Sequence, residues 1–256
     1  RRKAKRLIAT RPEGSDVEFL AADDENAEAR LLADRILKQI TASVDPGQIA
    51  VFYRINSMSR PIEEAFMRAR IPYQVVRGVE FYARKEIQDF LSYLKLIANP
   101  LDDLAFLRAI ATHSRGIGKT SVDKLVQYAR ESGKSLLAAA DCADLLTSVS
   151  SSTRTRLCEF ARMIHKFQQD STGEVAPQMD CVFAETGYAD ALKSEANTDA
   201  IENINELINA AAEYDREAEN PSLLDYLQSI ALYSDTDAYD AGTSKVSLMT
   251  MHAAKG

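Results

Sequence analysis

The composition of the 256-residue chain excludes several classes of protein. Hydrophobic residues make up 46% and charged residues 27%, which is typical of a globular chain that buries a sizeable core. No apolar run approaches the roughly 18 residues of a membrane span, and the basic start Arg1–Arg6 lacks the apolar stretch of a secretory signal. Cys142, Cys158 and Cys181 have no Cys-x-x-Cys spacing. We therefore expect a cytoplasmic protein with reduced thiols, no metal site and no membrane partner.

Charge is unevenly distributed along the chain. The net charge of −7 combines +4 for residues 1–119 (20 basic, 16 acidic) with −11 for residues 120–256 (11 basic, 22 acidic). Contacts with phosphates need local positive charge rather than a basic total. The first half can therefore meet nucleic acid, whereas much of the second half would repel it.

The first 77 residues alternate between strand and helix patterns. Short apolar, β-branched runs predict strands, and apolar residues at helical spacing predict amphipathic helices. The strands are predicted at 17–21, 48–53 and 71–76, and the helices at 24–40 and 59–70. This order indicates a parallel sheet covered by helices.

From about residue 85 to 239 the pattern is helical only. Helices are predicted at 86–97, 102–112, 121–132, 153–169, 199–218 and 221–232, with a serine-rich loop at 147–155. A strand pattern returns at 245–251. We therefore predict an α/β fold: an incomplete parallel-sheet domain formed by residues 1–82 and 241–256, with a large all-helical subdomain, residues 83–240, inserted into it.

The segment Arg115-Gly-Ile-Gly-Lys-Thr-Ser121 is a distinctive motif in the helical block. A phosphate loop ending in Gly118-Lys119-Thr120 would need its first glycine where His113 stands, so that interpretation fails. Two glycines before a helix instead allow close approach of the main chain to an anion, with Arg115 and Lys119 adding charge. This is the design of a helix-hairpin-helix contact with a DNA phosphate. An ordinary glycine turn between helices is an equally supported alternative.

Polar residues also follow two of the predicted strands. Arg54, Asn56 and Arg60 come after the strand at 48–53, and His252 and Lys255 follow the last strand. Ligands of open parallel sheets bind at the carboxyl ends of strands, and Arg and Asn suit contacts with phosphates and base edges. The simpler alternative is a solvated Arg54 and an Asn56 that caps the next helix. His252 has no catalytic partner in the sequence.

Together and in order, these segments resemble the second motor domain of superfamily 1 DNA helicases of the UvrD/PcrA/Rep type. The resemblance covers nearly the whole chain. It rests on residues 51–60 and 246–256, which are similar to helicase motif IV and the first half of motif V, and on residues 78–89, 115–121 and 201–207 of the segments between them.

The resemblance implies a RecA-like sheet domain in a parent protein with two such motor domains. The parent would use ATP and Mg²⁺ to move 3′→5′ along single-stranded DNA and to unwind duplex DNA. The resemblance implies single-strand contacts for Asn56 and His252, with Arg54, Arg60, Thr250 and Lys255 as weaker candidates. The implied duplex contacts are Gly116, Ile117, Gly118, Lys119 and Thr120.

The chain contains no Walker segment and no arginine motif that would sense the γ-phosphate. We therefore expect ATP and Mg²⁺ to act in the parent protein, and we expect this chain alone not to bind or hydrolyse ATP. The implied partners are single-stranded and duplex DNA, with repair or replication proteins as further candidates, in a nucleoid-associated protein.

Three alternatives stay open. In the first, the parent protein is a subunit of a helicase–nuclease. In the second, it is a non-catalytic DNA-binding or protein-interaction module that keeps the motor fold. A small-molecule α/β enzyme is the weakest alternative, because the sequence offers no acid–base pair or nucleophile–base arrangement.

Overall fold

The structure of the chain, a computed structural model, describes Gly14 and residues 16–170, 173–234 and 244–255, apart from the side chains of residues 232–234 and Lys255. The strands within this part are β1 (Ala50–Tyr53), β2 (Tyr73–Val75) and β3 (Val246–Thr250). The helices are α1 (Glu25–Thr41), α2 (Ser59–Arg68), α3 (Lys85–Ala98), α4 (Asp103–Ala111), α5 (Lys119–Ser132), α6 (Leu136–Asp141), α7 (Ser151–Gln169), α8 (Val175–Glu185), α9 (Tyr188–Ser194), α10 (Thr198–Glu217) and α11 (Leu223–Ser234). None of the helices in this described part is both long and apolar enough to cross a bilayer.

Strand β3 is the central strand of a three-stranded parallel sheet with the order β1-β3-β2. Tyr53 of β1 pairs with Thr250, and Val75 of β2 pairs with Leu248. The strand near the end of the chain therefore lies between two strands that precede the whole helical block. Because the three strands are parallel, their carboxyl ends lie at one edge of the sheet.

Helices α1 and α2 cover one face of the sheet. Phe66 of α2 packs with Val246 and Leu248 of β3 in a hydrophobic core, and all three residues are 0% exposed. Successive side chains of a strand point to opposite faces. Tyr53 is accordingly buried in this core, whereas its neighbour Phe52 is 49% exposed. The described residues thus give the sheet one covered face.

The helices from α3 onward form a second hydrophobic core. Nine of the fourteen residues of α3 are buried, among them Phe90 and Leu94, and α4, α7, α8, α10 and α11 pack against this helix. Phe81 and Tyr82, just before α3, also belong to this second core. The connection between the sheet and the helical block therefore enters the helical core before α3 begins.

The predicted α/β class with a parallel sheet and a helical block is confirmed. Each predicted helix, and each strand predicted at 48–53, 71–76 and 245–251, is present within a few residues of its predicted bounds. Helices α6, α8 and α9 lie in segments for which no element was predicted. Helix α7 begins inside the supposed serine-rich loop, because the side chain of Ser150 accepts from Thr153 N and caps the helix there.

The strand predicted at 17–21 is wrong. These residues form no strand, and Val17 and Phe19 are 85% and 96% exposed. A β-prone sequence becomes a strand only when its main chain finds a neighbouring strand. Residues 17–21 pair with no strand in the described part of the chain, and Glu18 instead forms an ion pair with Arg35 of α1.

Candidate nucleic-acid interface

Two motifs that are distant in the sequence meet at the carboxyl edge of the sheet. Arg54 and Asn56 follow β1, His252 follows β3, and β1 and β3 are paired directly. The pairing extends beyond β3, since Met251 N donates to Tyr53 O at 2.9 Å. Arg54, Asn56 and His252 are all exposed, and we call them the strand-end edge. A guanidinium, an amide and an imidazole on adjacent segments suit contacts with phosphates and base edges.

Asn56 begins a short 3-10 helix, Asn56–Met58, that leads directly into α2. The N-cap positions of these two helices are Ile55 and Met58, and neither helix has a side-chain cap. The Asn56 side chain therefore does not cap the next helix. The Asn56 carbonyl accepts from Ser59 N and, at 3.0 Å, from Arg84 Nη1. The main chain of Asn56 is thus held from the interior while its side chain faces solvent.

The weaker candidates Thr250 and Lys255 are placed less favourably. Thr250 is half-buried, and its Oγ1 accepts from Ala253 N at 3.2 Å, so that its hydroxyl stabilises the turn after β3. The main chain of Lys255 lies in the 3-10 helix Ala253–Lys255. Its side chain lies outside the described residues.

Arg60 does not lie on the strand-end edge. Its side chain is 1% exposed and contacts three carboxylates: Glu64 Oε1 at 3.1 Å, Glu206 Oε1 at 2.8 Å and Glu213 Oε2 at 3.4 Å. Burial alone would lower the pKa of Arg60, but Glu64 and Glu206 raise it above its ordinary value. A guanidinium that is buried and surrounded by carboxylates cannot reach a DNA phosphate. The expectation that Arg60 contacts single-stranded DNA is therefore corrected: Arg60 joins α2 to α10.

A largely apolar cavity of about 530 Å³ adjoins the strand-end edge. Ile55, Met58 and Met251 line it and are 43%, 47% and 54% exposed. Exposed apolar side chains beside Arg54 offer a surface for the apolar faces of a ligand, whereas the acidic first turn of α1, which also lines the cavity, would repel phosphates. The sequence alone does not single out these residues, because an isolated Ile or Met is indistinguishable from an ordinary core residue.

Arg84 connects the loop after β1 with the helical block. It is 8% exposed and donates from Nη1 to Asn56 O at 3.0 Å and to Asn203 Oδ1 of α10 at 2.9 Å. Its Nη2 donates to Ser59 Oγ at 2.6 Å. Local sequence patterns cannot indicate this arrangement, because Asn203 is 119 residues away from Arg84 along the chain.

Glu63 lies beside Arg84 in the same buried joint. Its Oε2 accepts from Phe81 N at 2.9 Å, and its Oε1 lies 3.9 Å from Arg84 Nη2. Glu63 is 2% exposed, and burial raises its pKa to about 7 although hydrogen bonds from Ser59 and Phe81 and the charge of Arg84 oppose the rise. The Glu63 carboxyl therefore changes its protonation near neutral pH.

The glycine turn, Gly116-Ile117-Gly118, is held by α7 and by the helical core. Gly116 has a φ of +67°, a left-handed conformation that glycine adopts without strain. Arg156 Nη1 of α7 donates to Gly116 O at 2.9 Å, and a Cβ at Gly116 would overlap this guanidinium. Ile117 packs against the helical core. Gly118 differs, because its φ is −78° and a Cβ there would meet nothing within 4 Å.

Helix α5 begins at Lys119, directly after the glycine turn. Its N-cap is Gly118, so its first amides have no side-chain cap, and its first turn holds no acidic residue. Uncapped amides at the positive end of a helix dipole attract anions. Lys119 and Thr120 are exposed beside these amides. The arrangement suits a phosphate contact made largely by the main chain.

Arg115 and His113 support the glycine turn from the interior. Arg115 Nη2 donates to Tyr93 OH at 2.8 Å and to Thr186 O at 2.9 Å. His113 stacks on Tyr188, and burial, together with the charge of Arg115, lowers the pKa of His113 to about 4. The guanidinium of Arg115 is thus directed into the protein, contrary to the expectation that it adds charge for a ligand.

Neither a cluster of metal-ligating side chains nor a phosphate loop is found among the described residues. Among them, no group of three or more His, Cys, Asp or Glu side chains could hold a metal ion. The strands lead into Arg54-Ile55-Asn56, Val76-Arg77-Gly78 and Met251-His252, and none of these segments is the glycine-rich loop before a helix that cradles phosphates.

Similarity to known proteins extends over the whole chain. Residues 1–256 match the family model described as the UvrD-like helicase C-terminal domain. The chain is similar to the ATP-dependent DNA helicases PcrA of Bacillus subtilis (strain 168), with 34% identity over 267 residues, and of Staphylococcus epidermidis, with 34% over 261 residues. It is also similar to that of Leuconostoc citreum, with 33% over 266 residues. Each comparison covers 100% of this chain and 36% of the relative, so the chain spans about a third of the length of these relatives.

Proposed function

The chain belongs to the UvrD-like helicase C-terminal domain family, and from that membership we propose that it is part of an ATP-dependent DNA helicase that moves 3′→5′ and unwinds duplex DNA. The relatives it resembles carry the name ATP-dependent DNA helicase. The observation that supports the proposal best is the pairing of β1 with β3, because it brings the two motifs that resemble helicase motifs IV and V to one edge.

The proposed single-strand contacts are Asn56 and His252, with Arg54 beside them. All three are exposed at the carboxyl ends of paired parallel strands, where ligands of such sheets bind. Thr250 contributes less, because its hydroxyl accepts from Ala253 N, and Lys255 is proposed from its sequence position alone.

The proposed duplex contact is the glycine turn with the start of α5. Gly116, Ile117 and Gly118 shape the turn, and Lys119 and Thr120 flank the uncapped amides of α5. An anion at this position would be a phosphate of the duplex. Because the contact uses main-chain groups, it carries little sequence preference.

The proposed domain division separates residues 1–82 with 241–256 from residues 83–240. Two hydrophobic cores support a division into two parts, one around the sheet and one around α3, and Phe81 and Tyr82 at the end of the first part pack in the second core. In the proposed protein, residues beyond the described ones bind ATP and Mg²⁺, and ATP supplies the energy for translocation. We also propose a cytoplasmic, nucleoid-associated location and contacts with repair or replication proteins.

The proposal is tested with His252→Ala in the full-length protein. Loss of one hydrogen bond to a phosphate should raise the concentration of single-stranded DNA that half-saturates ATP hydrolysis by about tenfold. The matched control is His165→Ala on α7, whose imidazole contacts Asp141 and which lies within the helical block. ATP hydrolysis by the wild-type protein that does not respond to single-stranded DNA would refute the helicase proposal, and an unchanged response of His252→Ala would remove His252 from the contact.

A further inference from the structure

We propose that Arg84 is a positioning residue that couples the inserted helical block to the strand-end edge, so that the placement of α10 sets the placement of Asn56. The inference rests on the proposed function, because it concerns how Asn56 is positioned for its proposed contact with single-stranded DNA. It adds a residue that touches no DNA but sets the geometry of one that does.

The position of Arg84 supports this coupling. One nitrogen, Nη1, donates both to Asn56 O at 3.0 Å and to Asn203 Oδ1 at 2.9 Å. The strand-end edge and α10 thus contact the same nitrogen of one side chain. A movement of Asn203 by more than a few tenths of an ångström must therefore lengthen one of the two bonds or carry Arg84 with it.

The remaining contacts of Arg84 keep its guanidinium from adapting independently. Nη2 donates to Ser59 Oγ at 2.6 Å, and Nε donates to Val79 O at 3.2 Å. The guanidinium also lies 5.0 Å from the centroid of the Phe81 ring. A planar group fixed on three sides transmits a displacement instead of absorbing it by rotation about its side-chain bonds.

The α10 end of the coupling is also fixed. Asn203 is 3% exposed, and its Nδ2 donates to Glu86 Oε1 of α3 at 2.6 Å. The orientation of the amide is thereby set, because its nitrogen faces Glu86 and its oxygen faces Arg84. The position of Asn203 consequently follows two helices of the inserted block, α3 and α10.

A second arginine shows what is specific to Arg84. Arg60 also connects the sheet domain to α10, through Glu206 and Glu213. None of its side-chain contacts in the described part of the chain reaches Asn56. Arg60 therefore holds the two parts together, whereas Arg84 additionally links the inserted block to a residue of the strand-end edge.

The test uses Asn203→Ala and Arg84→Lys in the full-length protein, with ATP hydrolysis measured against the concentration of single-stranded DNA. Loss of one positioning hydrogen bond should raise the half-saturating DNA concentration about fivefold at an unchanged maximal rate. Met58 lies in the short 3-10 helix that begins at Asn56, and its amide donates to Ile55 O at 3.3 Å. If Asn56 is held less firmly, hydrogen exchange at this amide should become faster. A purely structural role would lower thermal stability without this pair of changes.

Two controls separate coupling from general loosening. Gln178→Ala also removes a buried amide, one that donates to Phe167 O within the helical block. Glu213→Gln weakens the Arg60 connection on the same helix α10. Both should leave the half-saturating DNA concentration and the exchange at Met58 at wild-type values.

The possible results are distinguishable. If wild-type ATP hydrolysis responds to DNA but Asn203→Ala matches the wild type, the inference is overturned while the helicase proposal stands. If Glu213→Gln raises the half-saturating concentration as much as Asn203→Ala does, the coupling is not specific to Arg84 and the inference is likewise overturned. Should Arg84→Lys fail to fold, Asn203→Ala decides alone, because it leaves the arginine in place.

Discussion

The strand-end edge and the glycine turn are two candidate DNA contacts built in different ways. At the edge, exposed side chains that are distant in sequence are brought together by the pairing of β1 with β3. At the turn, contiguous residues present main-chain groups, and the nearby arginines Arg115 and Arg156 support the backbone. Side-chain substitutions therefore test the edge, whereas the turn has to be tested through its backbone.

The interiors behind the two contacts differ as well. Behind the edge lies a charged joint in which Arg60, Glu63 and Arg84 are almost fully buried. Behind the turn, Arg115 lies against the aromatic ring of Phe160, and His113 against that of Tyr188. The geometry of the strand-end edge should therefore respond to protonation of the buried Glu63 carboxyl near neutral pH. The glycine turn should instead respond to substitutions that change its backbone conformation.

Glu63→Gln should produce the largest change. Burial raises the pKa of Glu63 from 4.5 to about 7. The folded state therefore binds the proton of the Glu63 carboxyl more tightly than the unfolded state does. The resulting stabilisation is complete below pH 4.5 and is lost as the pH rises through 7. Glu63→Gln should remove this loss, which is on the order of 3 kcal/mol between pH 5 and pH 8.

The measurement is the free energy of unfolding of both proteins at pH 5 and pH 8. His113 acts in the opposite direction, because its lowered pKa of about 4 destabilises the fold as the pH falls below 6.5. The difference between variant and wild type is therefore the informative quantity, with Glu131→Gln on the exposed side of α5 as the control. Parallel pH profiles for wild type and Glu63→Gln would mean that the Glu63 carboxyl titrates alike in both states.

Gly116→Ala should have the next largest effect and should act on the turn alone. An alanine at a φ of +67° is strained, and its Cβ overlaps the Arg156 guanidinium, so we expect a loss of about 2 kcal/mol in the free energy of unfolding. Duplex affinity should fall while DNA-stimulated ATP hydrolysis on single strands is kept. Combining Gly116→Ala with Arg156→Ala removes the overlap but leaves the strain, so stability should recover only in part. Full recovery would show that the left-handed conformation carries no cost.

Local patterns predicted the elements of this fold well and predicted its contacts less well. Apolar periodicity located α1 and α10, because each of these helices buries one side against a core. The same reasoning assigned a strand to residues 17–21, where the described part of the chain offers no partner strand. Pairing is a non-local property, and a short window of sequence cannot contain it.

The candidate site shows the same limit. Arg54 and Arg60 are six residues apart, and the sequence pattern predicts that both are exposed cations after the end of a strand. The structure exposes Arg54 and buries Arg60 among carboxylates, two of which, Glu206 and Glu213, belong to α10. The glycine turn was easier to locate from the sequence, because its φ angle and the following helix start are local features.

Gly118→Ser should cause the smallest change in stability and separates structure from binding most clearly. Gly118 has an ordinary φ of −78° with open space at its Cβ, and serine is a favoured N-cap, so stability should change by no more than about 0.5 kcal/mol and in the favourable direction. A serine hydroxyl that accepts from the first amides of α5 competes with a phosphate for them. Duplex affinity should therefore fall about fivefold, equivalent to about 1 kcal/mol, although the protein is no less stable. Titration of a 3′-tailed duplex against a blunt duplex over a salt series measures this. If duplex affinity is unchanged while the new cap raises stability, the amides of α5 do not meet DNA, and the glycine turn is only a connection between helices.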